Sequence, residues 1–365
     1  MSSHTIQGQW LTEAGWRPMI CTYTDRIESL CAVASEGDAP RFIPAPVDLH
    51  VHGGGGRDVM QGDDALRTVL RTHARHGTGG LLATSVTAPA EQIDEFLHSV
   101  KRVMSDPPAD GARLLGAHLE GPFINPDKRG AQPDFAVPVD RQKLESWLAS
   151  GVVRVMTYAP EMDPETVVPQ LCRHYGVKAQ LGHTLCPWQQ AVVALQSGVG
   201  VTHLFNAMSG VSHRDGGAAT AALAYADYAE IITDGVHVDK AAFDLARRAI
   251  PCLYSVTDAT AAAAMQDGHY QLGSLTVEKR GEHVFLPDGT LAGSCLTQHR
   301  SIEVLRQWGL DWSEISQCNS AFPARWINER QLGRIATGAS ANWLELQRDL
   351  PVAVWICGRR LPLSL

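Results

Sequence analysis

Short runs of aliphatic and β-branched residues recur along the chain, each ending in polar or ionisable residues. They are 46–52 (PVDLHVH), 80–87 (GLLATSVT), 114–122 (LLGAHLEGP), 152–161 (VVRVMTYAPE), 177–184 (VKAQLGHT), 200–207 (GVTHLFNA), 230–238 (EIITDGVHV) and 253–259 (LYSVTDA). Between them lie stretches with apolar residues at helical spacing, such as Ala65 to His76 and Pro187 to Ser197. Strand-length runs alternating with helices predict a parallel sheet. Eight units in about 250 residues predict a closed (β/α)8 TIM-like barrel over an open doubly wound sheet, and no GxGxxG follows the first run. Both chain ends read as short strands with turns. Residues 1–44 and 341–365 are therefore expected to pair into one small β-domain, leaving 45–340 for the barrel.

Hydrophobic residues are 44% of the 365, enough for a deep core. Lys plus Arg is 31 against 39 Asp plus Glu, a net charge of −8 with no basic block, which excludes the electrostatic footprint of a nucleic-acid binder. The N-terminal residues lack the pattern of a signal peptide, and no apolar run reaches the ~18–20 residues that span a bilayer. A cytoplasmic protein with no membrane partner is expected. The eight cysteines form no CxxC pair and are expected to be buried thiols.

The chemistry concentrates where a barrel would place it. Active sites of such barrels lie at the C-terminal ends of the strands. The residues ending the runs are His50, His52, Glu120, His183, His203, His237 and Asp258. His50 and His52, two apart on a strand, share a face. Glu120 is halted at its strand end by Gly121-Pro122. Two histidines and a carboxylate leave coordination positions open, as catalytic zinc requires, so Glu120, His183 and His203 are the first candidates for a metal site. Asp258 is the expected general base, taking a proton from the attacking water and returning it to a leaving nitrogen. Its other reading is an N-cap for a helix over 259–265.

The motifs at 50–56 (HVHGGGG), 118–123 (HLEGPF), 181–184 (LGHT), 202–208 (THLFNAM), 234–238 (DGVHV), 256–259 (VTDA) and 291–294 (LAGS) together resemble the N-acetylglucosamine-6-phosphate deacetylase family of the amidohydrolase superfamily, in order and over nearly the whole barrel. The resemblance implies that Glu120, His183 and His203 are principal metal ligands, that His50 and His52 hold a second ion alongside Glu120, and that Asp258 is catalytic. It leaves one or two divalent ions open, with Zn first and Fe, Co or Mn as alternatives. The fourth run has no lysine to carboxylate, which favours a glutamate-centred site. The resemblance further implies that Asn206 and Ala207 hold a phosphate, that Arg214 joins them from the neighbouring subunit of a homodimer, and that His237 contacts the sugar. Gln132 stands where the family usually has a histidine on the acetamide carbonyl; it can donate a hydrogen bond but cannot be cationic. The implied reaction is hydrolysis of N-acetyl-D-glucosamine 6-phosphate to glucosamine 6-phosphate and acetate. Gln132 keeps open N-acetylgalactosamine 6-phosphate or another small N-acyl substrate, and a non-catalytic sugar-phosphate binding protein is a third reading.

Overall fold

The computed structural model describes residues 3–34 and 39–364. The eight runs supply the strands of a parallel barrel: β1 (Val47–Val51), β2 (Gly80–Ser85), β3 (Arg113–Glu120), β4 (Val153–Tyr158), β5 (Lys178–Leu181), β6 (Gly200–Val201), β7 (Tyr228–Ile232) and β8 (Cys252–Val256). Strands adjacent in sequence are adjacent in the sheet. The seam between β8 and β1 closes just past the strands: Val51 bridges Ala259, and the Asp258 amide donates to the His50 carbonyl at 2.9 Å. Closure of the barrel thus sets Asp258 beside the His50–His52 pair. The buried Asp48 carboxylate reinforces the seam, accepting from the Thr257 hydroxyl at 2.8 Å and its amide at 3.2 Å. Burial pushes the Asp48 carboxyl up to about 6 although these bonds oppose the shift.

The helices follow the periodicity. The first barrel helix, Asp63–Arg75, opens on two acidic residues that complement its dipole and turns Leu66, Val69 and Leu70 inward. No helix forms over 259–265; residues 261–264 are turns, so Asp258 has no helix to cap.

Strands from both ends of the chain form one seven-stranded mixed sheet. Arg41–Pro44 lies at its centre, antiparallel to Trp343–Gln347 on one side and parallel to His4–Thr12 on the other. Its core is aromatic: Trp10 stacks on Phe42 with ring centroids 4.2 Å apart and meets Trp343 edge-on at 5.0 Å. Of the expected domain bounds, residues 1–2, 35–38 and 365 lie outside the described residues.

An antiparallel sheet not anticipated from sequence follows β8, with strands Gly268–Leu272, Leu275–Arg280 and His283–Phe285. Its apolar face (Leu272, Val277, Val284) packs on Val86 and Ala262, which brings Leu272 to the barrel mouth. All eight cysteines are free; five are buried as expected, Cys252 is half-buried, and Cys31 and Cys357 are exposed.

Candidate active site

Six of the predicted residues meet at the top of the barrel. Glu120, at the last position of β3, lies with Oε1 2.9 Å from His203 Nε2 and 3.0 Å from His183 Nε2. Its Oε2 lies 3.2 Å from His52 Nε2, and Oε1 lies 3.4 Å from His50 Nε2. Asp258 Oδ1 is 3.2 Å from His52 Nε2 and 3.4 Å from His50 Nε2. Among the described residues three groups have ligand atoms within 4.8 Å of one another: Glu120–His183–His203 and His50–His52–Asp258 at the mouth, and His50–His118–Glu230 deeper in the barrel, where His118 is already engaged with the Leu49 carbonyl and the Thr157 hydroxyl. Local backbone holds them there. His183, His203 and Asp258 all have positive φ, at 47°, 27° and 51°, an unfavourable conformation that clusters at functional sites. Gly121, with φ of 81°, turns the chain away directly after Glu120, where a Cβ would collide with the Thr87 hydroxyl.

The donor set fits a divalent cation. His50 Nδ1–H donates to Glu230 Oε2 at 3.0 Å, His52 Nδ1–H to the Thr84 carbonyl at 3.0 Å, and His183 Nδ1–H to the Lys128 carbonyl at 2.8 Å. These bonds place the proton of each neutral imidazole on Nδ1 and leave the Nε2 lone pair facing the cluster. The Nε2 atoms of His50 and His52 are nevertheless only 3.1 Å apart, as are those of His183 and His203. For His50 and His52, whose Nδ1 protons are both engaged, lone pairs at that separation need a cation between them; His203 Nδ1 has no partner, so its Nε2 can carry the proton toward Glu120. In the metal-free protein a proton serves: burial would lower the His52 pKa, but Asp258 and Glu120 raise it to about 9. Burial likewise opposes ionisation of Glu120 and Asp258, yet the histidines hold Glu120 well below the carboxylate range and Asp258 at about 2. The cluster is a buried divalent-metal site.

His52, Glu120, His183, His203 and Asp258 form the floor of a cavity of about 280 Å³ whose walls include Gln132, Asn206, Ala207 and His237. Gln132 accepts the Thr87 amide at 2.6 Å through Oε1 and donates from Nε2 to Glu120 Oε2. Arg214 is on an exposed loop and is not among the lining residues, none of which is Lys or Arg.

Two carboxylates missed in the sequence support the site. Glu230, fully buried inside the barrel on β7, orients His50 and also accepts from Gln180 at 3.0 Å and from the His203 amide at 3.3 Å. Asp234 accepts His237 Nδ1–H at 2.6 Å, turning Nε2 of that ring outward. Glu230 opens a strand run, and its ionisable side chain among aliphatics was the available signal; Asp234 sat in plain view three residues before His237. Glu230→Gln is expected to weaken metal affinity about 10–100-fold, because His50 loses its anionic partner. Competition with a chelating dye measures this, and an affinity equal to wild type would contradict the assignment.

No protein-family model matches the chain. The N-acetylglucosamine-6-phosphate deacetylase of Bacillus subtilis is 31% identical over 329 residues, covering 87% of this chain and 83% of the relative. The N-acetylgalactosamine-6-phosphate deacetylase of Escherichia coli is 33% identical over 365 residues, 96% of each protein. The chain belongs to the N-acetylglucosamine-6-phosphate deacetylase family. Among solved structures, the family member from Mycobacterium smegmatis in complex with N-acetyl-D-glucosamine-6-phosphate superposes with a TM-score of 0.90 at 28% identity over 99% of each chain. The Thermotoga maritima member gives 0.90 at 25% identity over the full length of both. The resemblance drawn from the motifs is therefore correct, and the metal cluster sits in a metal-dependent hydrolase of the amidohydrolase superfamily. No described helix is long and apolar enough to cross a membrane.

Proposed function

We propose that this member of the family hydrolyses the acetamide of N-acetyl-D-glucosamine 6-phosphate to D-glucosamine 6-phosphate and acetate. The observation that carries the reading is Asp258, its Oδ1 3.2 Å from His52 Nε2, beside the convergent histidines on the floor of an open pocket. Glu120, His183 and His203 hold one ion, and His50 and His52 with Glu120 and Asp258 are suited to a second; Zn is the first choice for the metal. A divalent ion held there supplies a Lewis acid that polarises the amide carbonyl and makes the attacking water more acidic. Asp258, unprotonated at neutral pH, takes the proton of that water and delivers it to the departing nitrogen. His237, braced by Asp234, presents Nε2 to the acyl-sugar end of the substrate, and the second N–H of Gln132 is available to the acetamide oxygen.

The phosphate is assigned to the Asn206–Ala207 turn. A dianion in a pocket without Lys or Arg needs a cation from elsewhere, which supports Arg214 reaching in from a second copy and hence a homodimer. Eight free thiols support a reducing, cytoplasmic setting. A second substrate, N-acetylgalactosamine 6-phosphate, is favoured by Gln132 and by the Escherichia coli relative matched over 96% of each chain. Acetate release is measured from both epimers and from their unphosphorylated forms. The glucosamine epimer is expected to have the highest kcat/KM, with a loss of at least about 10²-fold without the phosphate, the scale of a site left with unpaired polar groups. Preference for the galacto epimer would replace the first reading by the second, and metal-replete protein releasing no acetate from any of the four would leave the non-catalytic one.

A further inference from the structure

Glu120 is not divided evenly between the two groups of histidines. Its Oε1 faces His203 and His183 at 2.9 and 3.0 Å, with His50 Nε2 farther off at 3.4 Å, and is not the oxygen that the Gln132 amide contacts. Its Oε2 faces His52 at 3.2 Å and already accepts an N–H from Gln132. The Gln132 amide is itself fixed in orientation. The Thr87 backbone N–H, just beyond β2, donates to Gln132 Oε1 at 2.6 Å, so only the NH2 end can face Glu120. With its oxygen turned to Thr87, the amide presents only N–H to Glu120 and acts on it as a donor.

We propose that Gln132 is a positioning residue that apportions Glu120 between two unequal metal sites, the tighter at Glu120–His183–His203 and the weaker at His50–His52–Asp258. The inference rests on the reading that both groups hold divalent ions. Each carboxylate oxygen has two lone pairs, and a hydrogen bond to an ionised oxygen both occupies one and draws charge from it. The first site receives Oε1 undiminished. The second receives Oε2 in competition with a buried N–H that a backbone anchor holds in place as the ion arrives. Loss of this donor, with the pocket otherwise intact, strengthens the second site selectively.

The metal-free protein is titrated with Co²⁺, reading cobalt per chain and visible absorption at each addition. Wild type is expected to show two steps differing about tenfold or more in Kd, the first removed by His183→Asn and the second by His52→Asn. Gln132→Met removes the donor at similar side-chain length, and Gln132→Leu removes it with a shorter, branched side chain that can neither donate nor ligate. Both are expected to tighten the second step about tenfold, the scale of one charge-assisted hydrogen bond, and to leave the first within about twofold. A wild type holding one equivalent that becomes two in these variants is the same result at wider separation. Equal affinities in wild type, or variants that shift both steps alike or neither, overturn the inference. Should Gln132→Met fail to fold, the wild-type steps and Gln132→Leu still decide. Wild type that binds no cobalt at all overturns the metal reading itself, an outcome distinct from the failure of Gln132.

Discussion

Asp258→Asn is expected to lower kcat about 10²–10⁴-fold with KM little changed, the range for loss of a positioned general acid–base. The substitution keeps the shape of the side chain and an oxygen able to face His50 and His52, which lie 3.4 and 3.2 Å from Oδ1. What it removes is the capacity to take up a proton. Asp258 faces the histidines as well as the pocket, so the same loss could reach kcat through metal content. The two routes separate by measurement: kcat is determined across a range of added metal, with bound metal counted in parallel. A deficit that persists at full metal content assigns the proton transfer to Asp258. A deficit that excess metal repairs makes Asp258 a ligand only, and near-normal kcat throughout would exclude it as the base.

The residues of the cluster were legible because each ends an apolar run, and the ends of parallel barrel strands converge on one mouth. That argument needs no knowledge of turns, and His50, His52, Glu120, His183, His203 and Asp258 met as expected. Residues within the strands were a different matter. Glu230 is a ligand-orienting carboxylate only because the barrel's curvature aims it at His50 across the interior, a relation between β1 and β7 that spans 180 positions. The hairpin sheet over 268–285 escaped notice because its strands are only three to six residues long and polar on one face, so their alternation is brief. Gln132 was recognised as a departure from the family's wording, but its bond to Glu120 depends on the loop after β3 folding back towards Thr87, which no local pattern encodes. Arg214 is the converse case, placed by resemblance and standing on an exposed loop of its own chain.

Glu120 offers the most severe test of the metal centre, because both groups of histidines use its carboxylate. Ion binding to the folded state alone stabilises it by RT ln(1 + [L]/Kd), about 2.7 kcal/mol at a metal concentration of a hundred times Kd. Removing a partner that only orients a ligand costs about 10–100-fold in affinity; removing Glu120, a direct ligand, is expected to cost at least about 10²-fold. At the same metal concentration the stabilisation in Glu120→Gln then falls to about RT ln 2, roughly 0.4 kcal/mol. Wild-type protein should therefore melt at a clearly higher temperature with metal than with chelator, and Glu120→Gln should melt at nearly the same temperature in both. Comparing each protein with itself is essential, since loss of a buried charge beside four histidines shifts the baseline by about 3–5 kcal/mol irrespective of metal. Activity should vanish with the metal-dependent stabilisation. Were Glu120→Gln to keep the full separation between loaded and chelated melting curves, the carboxylate would hold no metal, and the histidines with Asp258 alone would bind it.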